Sequence, residues 1–246
     1  PALAARVKAV KHYQHERFQH TYEDLLAQPR YADATRFFLE ELYGPEDFTR
    51  RDTQFKRVVP ALVRLFPREV VLTVQTLGEL HALSETLDTA MGEAVTGQSV
   101  DLAVYTLAWQ RVGQPSERER QIALMRRVGD ALDGYTRNPL LRHSLRLMRG
   151  PARLAGLPEL QTFLESGFDT FRAMRGAKDF LDTVVRREQA IAAWLFSAAA
   201  GEGGEDRAAV LGDIGELAGA VVAKERARDL AHFDFAVECT VGSVEV

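Results

Sequence analysis

Along most of the chain, apolar residues recur every three or four positions, and alternating β-branched runs are nearly absent before the tail. That period predicts an all-α fold, a multi-helix bundle of about ten helices. A helix over 3–27 stops before Pro29, and a second over 31–43 stops at Gly44-Pro45. Pro60 divides a segment over 46–66, and Pro67 opens a long helix over 68–95. Ser99 is placed to cap a helix over 100–112, and Ser116 with Glu119 spells a capping box for one over 117–136. Asn138-Pro139 starts the next helix and Gly150-Pro151 ends it. Two more are expected over 158–174 and 177–199.

The pattern then breaks at GEGGED, 201–206, the one stretch with linker composition. A single helical domain over 1–200 is expected before it. Beyond it, Val210, Ile214, Leu217 and Val221 mark one face of an amphipathic helix over 207–231, either docked back or used for self-association. The following HFDFAVECTV alternates and could form a short strand or a disordered tail within 207–246.

Composition narrows the class. The 246 residues are 46% hydrophobic and 27% charged, the balance of a globular protein with a sizeable core. A net charge of −4 argues against a general nucleic-acid binder. One cysteine, Cys239, excludes an internal disulfide and a thiolate zinc cage, and suits a reducing cytoplasm. The sequence shows neither a secretory leader nor an apolar run approaching a membrane span. Basic residues are 26 Arg against five Lys, which suggests a GC-rich bacterial genome and cautions against reading every Arg as functional.

Four polar features bear on chemistry. In HYQHERFQH, His12, Glu16 and His20 lie on one arc of the first helix, but away from its apolar face. They read as a solvated face, and no metal is expected there. His81 falls on the apolar stripe of Val70, Val74, Leu77 and Leu80, so burial and a hydrogen-bond partner are expected for it. TLGELH, 76–81, is similar to the proximal-histidine segment of globin chains over those six residues alone, without a distal side. No cofactor is expected. Arg187 and Glu188 interrupt the apolar stripe of the helix over 177–199, as a structural ion pair or as the wall of an inter-helix pocket. Between Gly134 and Pro158 lie Arg137, Arg142, Arg146, Arg149 and Arg153 with His143, and no acidic residue. Arg142, Arg146 and Arg149 step by four and three along one helix face, and Arg153 extends that line if the helix survives Gly150-Pro151. Such a row suits phosphates, anionic lipid headgroups or a partner's acidic helix, or pairs with carboxylates of neighbouring helices. Phosphate loops, nucleophile elbows, HExxH and paired ExxH motifs are missing.

The stretch RFFLEELYGPEDF, 36–48, sets Glu40 and Glu41 side by side. Adjacent helical residues diverge by 100°, so the two are no catalytic dyad. Glu40 reads as a solvated partner of Arg36, and Glu41 as the carboxylate that could be buried against an Arg or His81. Phe37, on the far side from Phe38, Leu39, Leu42 and Tyr43, predicts a helix packed on two sides. FFLEELY, with RRDTQFKRVVPALVRLFP (50–67), TLGELHALSETLD (76–88) and LRLMRGPARLAGLPELQTFLESGFDTFRAM (145–174), resembles the FFLEELY-motif proteins over most of 10–200. That resemblance implies a bacterial, helical protein and transfers no catalytic residue.

Together these features read as a cytoplasmic binding protein, with a protein partner, self-association or an anionic ligand along Arg142, Arg146, Arg149 and Arg153. The alternative is a small-molecule or cofactor-binding helical protein, an enzyme included, with a pocket near Glu41, His81, Arg187 or Glu188.

Overall fold

Proline and asparagine punctuation divides the chain much as the periodicity predicts. The computed structural model describes residues 2–42, 68–97, 99–154 and 158–197, without the side chains of 41, 42, 159 and 160. These residues are helical apart from their connections, and no strand occurs among them. All fall in one unit, Pro1–Ala200. The segment 46–66, the linker 201–206, and the helix and tail of 207–246 lie outside the described residues.

The first predicted helix is two. α1 (Ala2–Thr21) gives way at Tyr22, whose backbone leaves the helical region at φ −117° and ψ 21°, before the single turn α2 (Glu23–Leu26). α3 (Ala32–Phe37) continues into a π-helical turn, Phe38–Leu42, within the FFLEELY stretch. Phe37, Phe38 and Leu39 are all buried while Glu40 is exposed. Three successive α-helical residues fan over 200°, and the wider π turn narrows that fan. Phe37 meets Phe163 at a ring separation of 5.4 Å, and Phe38 meets Phe171 and Phe180 at 6.2 and 5.5 Å. The two-sided burial expected from Phe37 is present. Arg36, however, pairs with Asp33 at 2.7 Å, one turn back, and not with Glu40.

α4 (Arg68–Ala94) runs as expected, followed by α5 (Leu102–Val112) and α6 (Pro115–Thr136). Both N-caps differ from expectation. Asp101, not Ser99, caps α5, accepting from the Val104 N–H at 2.9 Å. α6 begins at Pro115 after a left-handed Gln114, so the Ser116–Glu119 box forms no cap. Proline at the first helical position costs no hydrogen bond, because that N–H has no helical partner. Asn138 caps α7 (Pro139–Leu147) as predicted, accepting from the Leu140 N–H at 3.0 Å. The chain breaks next at Met148 and not at Gly150-Pro151, which sit in the first turn of α8 (Arg149–Leu154). There the missing N–H of Pro151 is again harmless. α9 (Pro158–Ala173) and α10 (Lys178–Ser197) complete the described chain.

α4 lies against α1, α5 and α6, α6 also contacts α9 and α10, and α5 contacts α10. One core gathers Phe18, Tyr22, Phe38, Phe171, Phe180 and Leu181, and a second gathers Val10, Met91, Tyr105, Trp109, Ile191 and Leu195. α1 crosses α4 so closely at Gly92 that a Cβ there would stand 2.5 Å from Val7 Cγ2 and 3.1 Å from the Val7 backbone nitrogen. At Gly129 the nearest obstacle is instead the tip of the Leu181 side chain. Gly92→Ala is therefore expected to destabilise the fold by about 1–3 kcal/mol despite the roughly 1 kcal/mol that alanine adds to helix propensity. Gly129→Ala is expected to cost less, because a leucine tip can rotate and a backbone cannot. Urea midpoints of the two variants check the order.

Candidate functional site

Adjacent positions on α10 send Arg187 and Glu188 to different partners. Arg17 of α1 donates to both carboxylate oxygens of Glu188, at 2.8 and 3.0 Å, and Tyr22 Oη adds a third bond to Glu188 at 2.8 Å. Arg187 donates to both oxygens of Asp24, at 2.7 and 2.9 Å. Its Nη1 also caps the carbonyl of Thr21, the last residue of α1, at 2.9 Å. A cation suits that position, where the helix dipole ends negative. Arg17 and Arg187 are nearly or wholly buried, as is most of Glu188. The pair flagged in the sequence is thus two crossed, bidentate ion pairs.

Beside Glu188 lies a cavity of about 40 Å³, lined in part by Arg17, Tyr105, Trp109, Arg118 and Gln121. Arg118 is buried with its guanidinium 3.9 Å from the Trp109 ring centroid. It donates to Gln121 at 3.3 Å, and Gln121 donates to Ser84 at 2.8 Å. Nearby, Gln14 donates to Asp88 at 3.0 Å and to Tyr105 Oη at 3.3 Å. Burial pushes the Asp88 carboxyl above the usual range, against the Gln14 hydrogen bond and the charges of Lys11 and Arg118. Arg17, Arg118, Asp24 and Asp88 were not singled out from the sequence. Their partners lie up to 171 positions away, and nothing local marks them.

His81 is half-buried on α4 and lines neither this cavity nor the apolar one described next. Glu41 lies in the π turn, with its side chain outside the described residues. Beneath that turn an almost wholly apolar cavity of about 50 Å³ is walled by Phe37, Phe38, Leu77, Val128 and Phe163, among others. Of the four pocket candidates, Arg187 and Glu188 share one polar seam, and neither cavity brings His81 to it. His12 and Glu16 lie 3.3 Å apart on an exposed face, as expected.

The arginine row divides. Arg142 pairs with Asp169 of α9 at 2.9 Å, and Arg149 grips Glu165, one turn earlier on α9, through its Nε at 2.7 and 2.9 Å. The hydrogen bonds from Arg149 hold Glu165 below the usual carboxylate range, although burial opposes them. Arg146 and Arg153 are exposed, with no carboxylate at ion-pair distance among the described residues. α7 buries no residue. Its Leu140 and Leu147 are 73% and 65% exposed, and Leu154 of α8 is 93% exposed. Large apolar side chains standing in solvent along one short stretch are the informative observation. The sequence pattern did not single out these leucines, because a periodic leucine reads as core.

The described chain is thus an all-α helical domain with a buried ion-paired seam and one open leucine–arginine face. Residues 1–202 match the model of a domain of unknown function, DUF8198, and the chain belongs to that family. The matched span includes the FFLEELY stretch. No curated protein and no solved structure matches the chain.

Removing one member of a buried pair leaves the other charge stranded. Glu188→Gln is therefore expected to cost about 3–5 kcal/mol, and the apolar double variant Arg17→Met/Glu188→Met distinctly less. Urea unfolding of the single and double variants tests this. Asp88 has the opposite sign. A carboxyl whose folded pKa is raised destabilises the fold once the pH exceeds its unfolded value, about 3.9. Asp88→Asn is expected to raise the urea midpoint at pH 7, with the gain vanishing as both proteins are taken below that value. Asp24 runs the other way. Burial raises its pKa, but the hydrogen bonds and charge of Arg187 outweigh that and lower it. Its stabilising contribution is present at neutral pH and is lost in acid as the pH falls through the folded value.

Proposed function

We propose that this chain works by binding rather than by catalysis, and that its working surface is the outward face of α7 and α8. The observation that carries the reading is the exposure of Leu140, Leu147 and Leu154 beside Arg146 and Arg153. The charged residues of the buried seam point the same way: Arg17, Glu188, Arg187 and Asp24 are committed to each other. Arg142 and Arg149 serve α9, so within the predicted row it is Arg146 and Arg153 that face outward. The partner is a protein, a second copy included, or another anionic surface. The reading places the protein in the cytoplasm, where a lone Cys239 stays reduced.

A small-molecule site beside Glu188 is the second reading, favoured by Arg118 stacked on Trp109 at the cavity wall. About 40 Å³ accommodates a few waters, far below the several hundred Å³ of an ordinary ligand pocket.

The test is capture from an unfractionated cell extract, membranes included, with immobilised full-length protein. The triple variant Leu140→Ser/Leu147→Ser/Leu154→Ser should keep the circular dichroism and melting of the parent, since those side chains are outside the core. It should also lose the components retained by the parent. An unchanged capture profile on the folded variant would remove α7 and α8 from consideration.

A further inference from the structure

We infer that the outward face of α7 and α8 seats on an anionic lipid bilayer surface, an inference that rests on the surface reading above and names its partner. Leu140 and Leu147 are one heptad apart and fall within about 20° on the helical wheel, and Leu154 stands more exposed than either. His143 and Arg146 flank the two leucines of α7, and Arg153 accompanies Leu154; all three are exposed. Apolar wedges beside cationic side chains are what a bilayer interface accepts: leucines enter the acyl boundary while arginine stems lie along it with their heads at the phosphates.

Two observations favour lipid over a protein partner. The exposed residues of α7 are Pro, Leu, His, Ser and Arg, without the exposed Trp, Tyr or Phe that anchors most protein interfaces. From Gly134 to Pro158 the chain also has five arginines and no acidic residue, so the segment itself offers a single sign of charge to a partner. A bilayer demands only a uniform sign. With the whole chain at −4, those five arginines leave −9 on the remainder, which turns this face toward an anionic surface and the rest away. The attachment is peripheral, since among the described residues no helix is long and apolar enough to cross a membrane. Asp133, Asp169 and Glu165 already hold three of the five arginines, so binding is modest, reversible and sensitive to salt.

Cosedimentation of the full chain with vesicles tests this, comparing phosphatidylcholine alone with phosphatidylcholine mixed with phosphatidylserine. The parent should bind the mixed vesicles, release them in high salt and bind the neutral ones weakly. Each basic residue near such a surface contributes roughly fivefold, so Arg146→Glu/Arg153→Glu should weaken binding by at least about 25-fold. The triple leucine-to-serine variant should weaken it by on the order of tenfold or more. Vesicle binding that survives both variants would overturn the inference. So would no vesicle binding beside variant-sensitive binding of soluble polyglutamate, which leaves the surface reading intact with an acidic protein as partner. Binding of the parent to neither probe would likewise overturn the inference, and the surface reading would then stand or fall on the capture experiment.

Discussion

The fold depends on a crossed pair of buried ion pairs that fastens α10 to the junction of α1 and α2. Arg17 reaches forward to Glu188, and Arg187 reaches back to Asp24, so each side of the joint contributes one charge of each sign. The arrangement is fixed in register. Adjacent residues on α10 diverge by 100°, and a shift of one position would set Arg187 against Arg17 or Glu188 against Asp24, like charge on like. Buried ion pairs add little net stability, because desolvation offsets most of the attraction. Their effect here is to make one alignment far better than its neighbours. The break at Tyr22 belongs to the same device, since it separates Arg17 and Asp24 onto different helical segments while the Tyr22 hydroxyl completes the shell of Glu188.

Around that joint the packing is close where side chains are small and polar where they are not. Gly92 lets α1 approach α4 until backbone meets side chain, and the same two helices then bury Gln14 against Asp88. The cost of an ionisable carboxyl in that place falls on stability at neutral pH. Tyr105, Arg118 and Trp109 line the cavity beside Glu188, so polar groups run along the edge of the second core.

What could be read in the sequence follows from how far each determinant reaches. The helical period, Asn138 as a cap and proline at helix starts act within one turn, and the chain states them directly. Capping failed where two local candidates competed: Asp101 lay two residues beyond Ser99, and Pro115 began its helix before Ser116 could cap it. Arg187 and Glu188 announced themselves as charges on an apolar stripe, but Arg17 and Asp24 did not, because a charge on the first helix has no reason to stand out until its partner is known. The row from Arg142 to Arg153 was visible as a charge bias, whereas its division into paired and open members depended on Asp169 and Glu165 of α9. One signal went unused. Leu140 and Leu147 lie on a different side of α7 from Leu141, Leu145 and Met148, and a short helix with two apolar ridges is either fully enclosed or open on one of them.

That last distinction is settled by how α7 is held. It buries no residue completely, and two polar attachments tie it to α9: Arg142 to Asp169, and the Gln161 amide to the Leu145 carbonyl at 2.6 Å. Arg149, just beyond it, holds Glu165, which also accepts from Gln161. α7 keeps Leu140 and Leu147 in solvent while its Leu141 and Leu145 are half-buried. The acidic residues of α9 therefore anchor Arg142 and Arg149 and leave Arg146 and Arg153 exposed beside the leucines.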